Sequence, residues 1–410
     1  MRKLRWEKEL WRALKNPVEL QELSRGVSVT STQDFGIVVK KADGPFVWDI
    51  FGKRYFDFSS SVGVMNLGHK IPEIKGVVMR QIDLVDQVPD HDWPNATATL
   101  LKKRLCEITP GKFPKKVFLS NSGTEAVEAA IKLLLADRPE RKCFVSFEGA
   151  FHGRTGYALA LNGSKPVHRE HFPKSLEVYK LPFPEKNHVV CDDWREKCTK
   201  LFHRLLGRVN AVFIELVQGE GGINVVDYDL VTELRDFLRH RGIKLVVDEV
   251  QTGLYRTGAM FACEHYGLEP DILCLGKSLG GDFPLAATVA RAELDFDKPG
   301  RHSGTFGGSP VPAAAAMTVL ELMESLDRGL LSKNYVTLSG FAPEGLGLMR
   351  RWRFPDAETR DAFVKEAKAR GILLLGAGTK NVRFMPQINI PTQLLEEALQ
   401  ILRSIDIPHL

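Results

Sequence analysis

The chain has 410 residues, 44% hydrophobic and 26% charged, the make-up of an ordinary globular protein of two to three domains, or of one large α/β domain with a smaller companion. Its 56 basic and 51 acidic residues leave a net charge of +5, too mild and too evenly spread, without aromatic interleaving, for a nucleic-acid binder. No run is long enough to span a bilayer, and no apolar core follows Met1-Arg2-Lys3. The six cysteines form no CxxC or zinc spacing, so a reduced, cytoplasmic protein is expected.

In chain order, the basic stretch MRKLRWEKELWRALKN predicts a surface helix or arm, with contact to a partner subunit as the alternative reading. Trp6 and Trp11, five residues apart, suggest packing of that arm. Extended segments follow around GPFVWDIFGKRYFDF, where Gly52 fits a turn between strands. Short apolar runs then predict strands at 116–120, 143–147, 211–216, 244–250, 271–276 and 285–290. Helical spacing appears at 125–136, with Val127, Ala130, Ile131, Leu134 and Leu135 on one face, and at 228–241, with Gly242 as its stop. This alternation predicts a largely parallel sheet flanked by helices. After a long helix in GGSPVPAAAAMTVLELMESL, the remainder reads as a small α+β unit. The expected division is 1–66 as arm and part of a small domain, 67–310 as the large domain, and 311–410 as the rest of the small domain.

Three stretches hold candidate chemistry. In LSNSGTEAVEAA the strand ends at Ser120, and Ser122 with Glu125 makes an S-x-x-E capping box. Gly123 allows a tight turn that leaves the N–H groups of Gly123 and Thr124 at a positive helix start, an anion cradle suited to phosphate. On this stretch alone a plain helix cap competes evenly. In KLVVDEVQTG, Asp248 ends an apolar strand, where open α/β sheets bind ligands, and a buried carboxylate there needs a partner. In DILCLGKSLGGDFPL, Lys277 sits just past another such strand. Burial lowers a lysine pKa and makes the amine a usable nucleophile and base. An anion cradle, a buried carboxylate and a desolvated lysine together match pyridoxal phosphate, with its phosphate, ring nitrogen and aldehyde.

Over nearly its whole length, from FVWDIFGKRYFDFSSSVGVMNLGH to NVRFMPQINI, the chain resembles the class III (ω-amino acid type) aminotransferases of pyridoxal-phosphate fold type I. The most specific block is VVDEVQTGLYRTG followed by PDILCLGKSLGGDFPL. DKPGRHSGTFGGSP is especially similar to archaeal members, some known as 4-aminobutyrate (GABA) aminotransferases and some resembling amino-acid racemases. The resemblance implies an α/β large domain with a mostly parallel seven-stranded sheet, and a smaller α+β domain built from both chain ends.

It also implies roles. Lys277 is the Schiff-base lysine and general base, and Asp248 the partner of the ring nitrogen. Ser122, Gly123 and Thr124 form the phosphate loop, Phe151 stacks on the ring, and Gln251 neighbours the 3-hydroxyl. Thr305 reaches the phosphate of the neighbouring subunit in a homodimer. Arg383 binds a substrate carboxylate, and Glu220 pairs with it when the bound substrate has no α-carboxylate. Arg154 matches a second carboxylate anchor, with a surface ion pair as the competing reading. Val62 lies near the substrate, where an aliphatic residue is more like GABA enzymes. Leu216, Tyr255, Asp282 and Ser309 depart from the family pattern. His69 is read as a turn or helix-cap residue, His152 as a loop residue rather than an acid or base, and Glu215, although its strand end could support the site, as structural. The implied reaction moves an amino group from an ω-amino acid, GABA- or ornithine-like, to 2-oxoglutarate. A racemase or aminomutase on the same scaffold is the alternative, and a silent homologue is disfavoured because Lys277 and Asp248 are both present.

Overall fold

Apolar runs and the segments between them set the architecture, which a computed structural model describes for residues 4–27, 35–186, 191–205, 207–296 and 298–406. Met1-Arg2-Lys3 of the basic segment, Asp297 of DKPGRHSGTFGGSP and the side chain of Cys191 lie outside the described residues. Strands buried at every residue, such as Cys143–Phe147, Val209–Ile214 and Ile272–Leu275, require cover on both faces. They belong to a seven-stranded sheet in the order Lys115–Ser120, Ala286–Arg291, Ile272–Leu275, Lys244–Asp248, Val209–Ile214, Cys143–Phe147, Glu177–Leu181. Ala286–Arg291 runs antiparallel to both its neighbours, and the other strands share one direction. The edge strand Glu177–Leu181 has no counterpart among the sequence-derived strands, because EVYKL mixes charge with half-exposed apolar residues and forms no run.

Parallel neighbours need crossovers, and helices supply them. Gly123–Asp137 turns Ala126, Val127, Ala130, Ile131 and Leu134 fully inward against the sheet. Tyr228–Arg241 starts at Asp227, whose side chain accepts from the N–H groups of Asp229 and Leu230, and stops at Gly242 with φ +60°. Both helices agree with the periodicity to within two residues. Because the strands share a direction, the segments after Ser120, Phe147, Ile214, Asp248 and Leu275 all emerge at one edge of the sheet. That edge holds the site.

Beside a two-stranded pairing of Val217–Gln218 with Asn224–Val225, two four-stranded sheets complete the fold among the described residues. In one, Val39–Asp43, Phe46–Asp49 and Arg54–Asp57 form antiparallel pairs, and Ile372–Leu373 adds in parallel, so the two ends of the chain share a sheet. Gly52, at φ +90°, makes the expected turn. In the other, Glu344–Leu346, Met349–Arg353, Asn381–Phe384 and Leu375–Ala377 are antiparallel. The helix Pro310–Glu324 lays an alanine-rich face against the core.

The N-terminal arm departs from expectation. Helices Arg5–Ala13 and Pro17–Gly26 contain no buried residue, and Trp6 and Trp11 stay 59% and 57% exposed. The arm is helical, but its tryptophans are not packed against the described chain. Among the described residues no helix is long and apolar enough to cross a membrane.

Candidate active site

At the carboxyl edge of the sheet a cavity of about 160 Å³ is lined by Gly123, Thr124, Phe151, His152, Glu215, Gly219, Glu220, Asp248, Gln251 and Lys277, among others. Strand ends deliver most of these groups. Lys277 follows Ile272–Leu275 by two residues and takes φ +46°, a left-handed conformation that costs a non-glycine residue energy and persists only where the surroundings enforce it. Gly276 passes so close to the next loop that a Cβ there would lie 3.3 Å from Gly123 Cα. No hydrogen bond or ion pair to Lys277 Nζ is found among the described residues. Burial pushes its amine down to about 8, a fall that Glu220 limits and Arg383 deepens.

Asp248 ends the neighbouring strand and is 5% exposed. Its Oδ1 accepts from Val250 N at 3.0 Å, and its Oδ2 lies 2.8 Å from His152 Nδ1. The carboxylate therefore has the partner its burial demands: His152 lies in a loop, as expected, and that loop turns its ring onto Asp248. His152 is 3% exposed, its backbone N–H donates to Asn162 Oδ1 at 2.7 Å, and its Nε2 is buried without a partner. Glu215 combines the two roles open to a strand-end carboxylate, bracing the neighbouring loops and lining the cavity. Its carboxylate accepts from Phe151 N at 2.9 Å and Gly219 N at 3.1 Å, and burial pushes it up to about 7 against the pull of His152. Only the sheet order brings Phe151-His152 and Glu215 beside Asp248. The one signal in the sequence is that each follows the carboxyl end of an apolar run.

The helix Gly123–Asp137 opens the other wall. Ser122 Oγ accepts from Glu125 N at 3.2 Å, as expected of a cap. The return arm differs from the expected box: Glu125 Oε2 accepts from Asn121 N at 2.8 Å, one residue further back than Ser122. The N–H groups of Gly123 and Thr124 have no backbone or side-chain acceptor among the described residues, as the first turn of a helix requires. A Cβ on Gly123 would lie 2.5 Å from Val250 Cγ1, so only glycine keeps the cradle against the turn after Asp248.

Arg383 comes from the strand Asn381–Phe384 of the small sheet and is 4% exposed. Its Nη1 donates to Glu220 Oε1 at 2.7 Å, and its Nε is buried without a partner. Burial works against the Glu220 charge, but Arg383 holds the carboxyl below its usual range. Gln251 Nε2 makes a long 3.5 Å contact with the Val62 carbonyl, and Gln251 Oε1 is buried without a partner. Phe151 meets the edge of His168 at 5.5 Å, and the Arg154 guanidinium lies over its ring at 5.7 Å. Arg154 itself is exposed, with Nη2 3.3 Å from His168 Nε2 and no carboxylate partner among the described residues, and it sits over Phe151 at the cavity rim rather than in the cavity lining. Thr305 is exposed and outside the cavity, with its carbonyl accepting from Gln87 Nε2 at 3.0 Å. Of the residues that departed from the family pattern, Tyr255 takes φ +62° under the Arg328 guanidinium, and Asp282 is an exposed residue whose carboxyl is raised by partial desolvation.

A paired buried carboxylate, an unpartnered amine and a helix start with free N–H groups fit the ring nitrogen, aldehyde and phosphate of one molecule. The class of protein this edge defines is a pyridoxal phosphate-dependent enzyme of the α/β kind. Comparisons with known proteins narrow it. Residues 27–339 match the family model "Aminotransferase class-III". A 2-aminoadipate transaminase from Pseudomonas putida is 34% identical, covering 87% of this chain and 92% of its own. A probable 4-aminobutyrate aminotransferase from Bacillus subtilis is 33% identical over 94% of this chain and 95% of its own. Among solved structures, the ornithine aminotransferase of Toxoplasma gondii superposes with a TM-score of 0.87 at 26% identity, covering 98% of this chain and 97% of that one. The chain belongs to the class III aminotransferase family, pyridoxal phosphate-dependent enzymes that work between amino acids and oxo acids.

Proposed function

We propose that this enzyme transfers an amino group from an ω-amino acid, GABA- or ornithine-like, to 2-oxoglutarate, with Lys277 as the amine that holds the cofactor. The observation that carries the reading is the Arg383–Glu220 ion pair at 2.7 Å, next to the Lys277 amine. An arginine neutralised in place suits a donor whose reacting carbon bears no carboxylate. Opened, its planar fork suits the α-carboxylate of glutamate or 2-oxoglutarate. One site then serves both half-reactions.

Pyridoxal phosphate supplies an aldehyde that takes up the amino group and a ring that accepts the electron pair left when a proton departs. The chain's own residues do the rest. Gly123 and Thr124 N–H groups bind the phosphate, with Ser122 fixing the helix start. Asp248 holds the ring nitrogen protonated, and His152 orients Asp248 through the Nδ1 contact. Phe151 would cover the ring, and the Gln251 amide, with its unpartnered Oε1, would meet the 3-hydroxyl. Lys277 Nζ, with an amine pushed down to about 8, takes the proton from the substrate carbon and returns it. Val62 faces the donor, and Arg154 meets a distal carboxylate. The enzyme works as a cytoplasmic homodimer in which the exposed Thr305 serves the partner's phosphate loop. Residues 67–310 form the cofactor domain, and 1–66 with 311–410 the smaller one.

A donor–acceptor screen tests this. GABA, ornithine and 2-aminoadipate are each paired with 2-oxoglutarate or pyruvate, and glutamate or alanine is quantified. Glutamate formed from an ω-amino donor is the expected result. Turnover of α-amino acids alone contradicts the reading, and so does inversion of a single enantiomer at catalytic rate without an oxo acid.

A further inference from the structure

Three consecutive non-glycine residues beside the cavity, Ser60, Ser61 and Val62, take φ +45°, +48° and +62°, and Gly63 follows at +80°. A left-handed turn places each Cβ too close to the following carbonyl oxygen, and for a β-branched residue such as Val62 this is an outlier. Such a run persists only where its surroundings over-determine it.

The surroundings do so from two sides. Asp57, 5% exposed, accepts from Ser59 N at 3.0 Å, Ser59 Oγ at 2.6 Å and Ser61 N at 3.0 Å, and its Oδ2 lies 3.1 Å from His69 Nε2. That contact also gives His69 a definite place, against the carboxylate that grips the turn. Arg256 is fully buried. It donates through Nε and Nη2 to Asn66 Oδ1 at 3.2 and 2.6 Å, through Nη1 to the Leu348 and Pro386 carbonyls at 3.0 and 2.5 Å, and through Nη2 to Ser60 Oγ at 3.4 Å. Ser60 Oγ in turn donates to the Met385 carbonyl at 2.6 Å. No carboxylate among the described residues pairs with this guanidinium, and burial pushes it down to about 10. A buried cation spent on carbonyls, an amide and a hydroxyl marks an arrangement that the chain maintains at a cost.

The turn presses on one side chain. The Val62 carbonyl is the acceptor for Gln251 Nε2, and a Cβ on Gly63 would lie 3.0 Å from Met385 Cε and 3.5 Å from Gln251 Cγ. Across the amide, a Cβ on Gly219 would fall 1.8 Å from Gln251 Oε1. The Gln251 amide is thus clamped between the turn and the residue before Glu220, with its unpartnered oxygen at the cavity.

We propose that the left-handed turn Ser60–Gly63 is a strained positioning element that locks the Gln251 amide at the cavity wall, and that Asp57 and Arg256 are the positioning residues that hold it. Only the kinetic arm of its test rests on the function proposed above.

The test is a double-variant cycle in the holoenzyme with Asp57→Asn, Ser61→Gly and both together. An asparagine at 57 turns an N–H towards the Ser61 N–H or the His69 ring. A glycine at 61 accepts the left-handed conformation without its side-chain penalty. Asp57→Asn is expected to lower kcat by about ten-fold with KM changed by less than about three-fold, and to shift the absorbance band of the bound cofactor. Ser61→Gly alone leaves kcat/KM within about two-fold and the thermal midpoint no lower. In the double variant, Ser61→Gly recovers at least about three-fold of the lost kcat, because there is less strain left to hold. Losses that simply multiply overturn the proposal. Should Asp57→Asn fail to fold, Ser61→Gly and Val62→Gly still decide through stability: a midpoint that falls in both shows that the turn is unstrained and overturns the proposal. A wild-type enzyme that turns over no amino donor refutes the proposed function instead, since the stability arms need no substrate.

Discussion

Replacing Glu220 with glutamine should move the two half-reactions in opposite directions. Arg383 is 4% exposed, and its Nη1 donates to Glu220 Oε1 at 2.7 Å, while its Nε has no partner. Glutamine keeps an acceptor oxygen in place but removes the charge, leaving a buried guanidinium with a neutral partner. A hydrogen bond to a charged group contributes about 1.5–3 kcal/mol. Its charge-assisted part, about 1–1.5 kcal/mol beyond a neutral hydrogen bond, is lost whenever the bound donor brings no α-carboxylate of its own, so kcat/KM for an ω-amino donor should fall by about 5- to 13-fold. Glutamate supplies a carboxylate that no longer competes with Glu220, so its apparent affinity should rise. Single-turnover absorbance of the cofactor reads each half-reaction separately, and a thermal midpoint on the same sample separates binding from unfolding. A parallel fall of both half-reactions, or neither changing by more than about two-fold, would refute the switch.

Asp248→Asn keeps an oxygen for the Val250 N–H but removes the charge beside His152, so kcat should drop by about ten- to hundred-fold with the cofactor still bound; an unchanged kcat in fully loaded protein contradicts its role. Gly123→Ala puts a Cβ 2.5 Å from Val250 Cγ1 and 2.8 Å from Cγ2, overpacking worth about 1–3 kcal/mol, so the protein should melt earlier and lose cofactor faster on dialysis. Lys180 reports on pH. Its Nζ donates to Ser146 Oγ and the Leu161 carbonyl with no carboxylate partner among the described residues, and burial pushes it down from 10.5 to about 7. Between these values the unfolded chain holds a proton that the folded one has released, so this group's contribution makes stability rise with pH across that window. Urea unfolding of Lys180→Met from pH 7 to 10 should show a flatter rise than wild type; parallel profiles would mean that Lys180 stays charged in the folded protein.

Much of the site was legible because its residues end apolar runs. Asp248 and Lys277 needed only strand ends and the cost of burying charge, and Gly123–Thr124 only the rules of helix starts. The partners of those groups were not legible. His152 and Glu215 become site residues through sheet order, since Val209–Ile214 separates Cys143–Phe147 from Lys244–Asp248 and no local pattern encodes that adjacency. The left-handed run at Ser60–Val62 was hidden for another reason: serine and valine carry no mark of positive φ, and of the groups that enforce it Asp57 is near but carries no such signal, while Arg256 and Met385 lie far along the chain. The reversed strand Ala286–Arg291 reads like its neighbours because a strand buried on both faces has the same apolar run in either direction. Trp6 and Trp11 show the converse, an apolar pattern with nothing in the described chain to cover it.

Borohydride reduction of the holoenzyme followed by peptide mapping tests the central assignment most directly, because Lys115 and Lys180 also have amines whose pKa desolvation lowers. The account predicts the reduced cofactor covalently attached to the peptide that contains Lys277, absent in Lys277→Ala, with Lys180 unmodified in both. Cofactor found on Lys180 or on any other lysine, with Lys277 free, would contradict it.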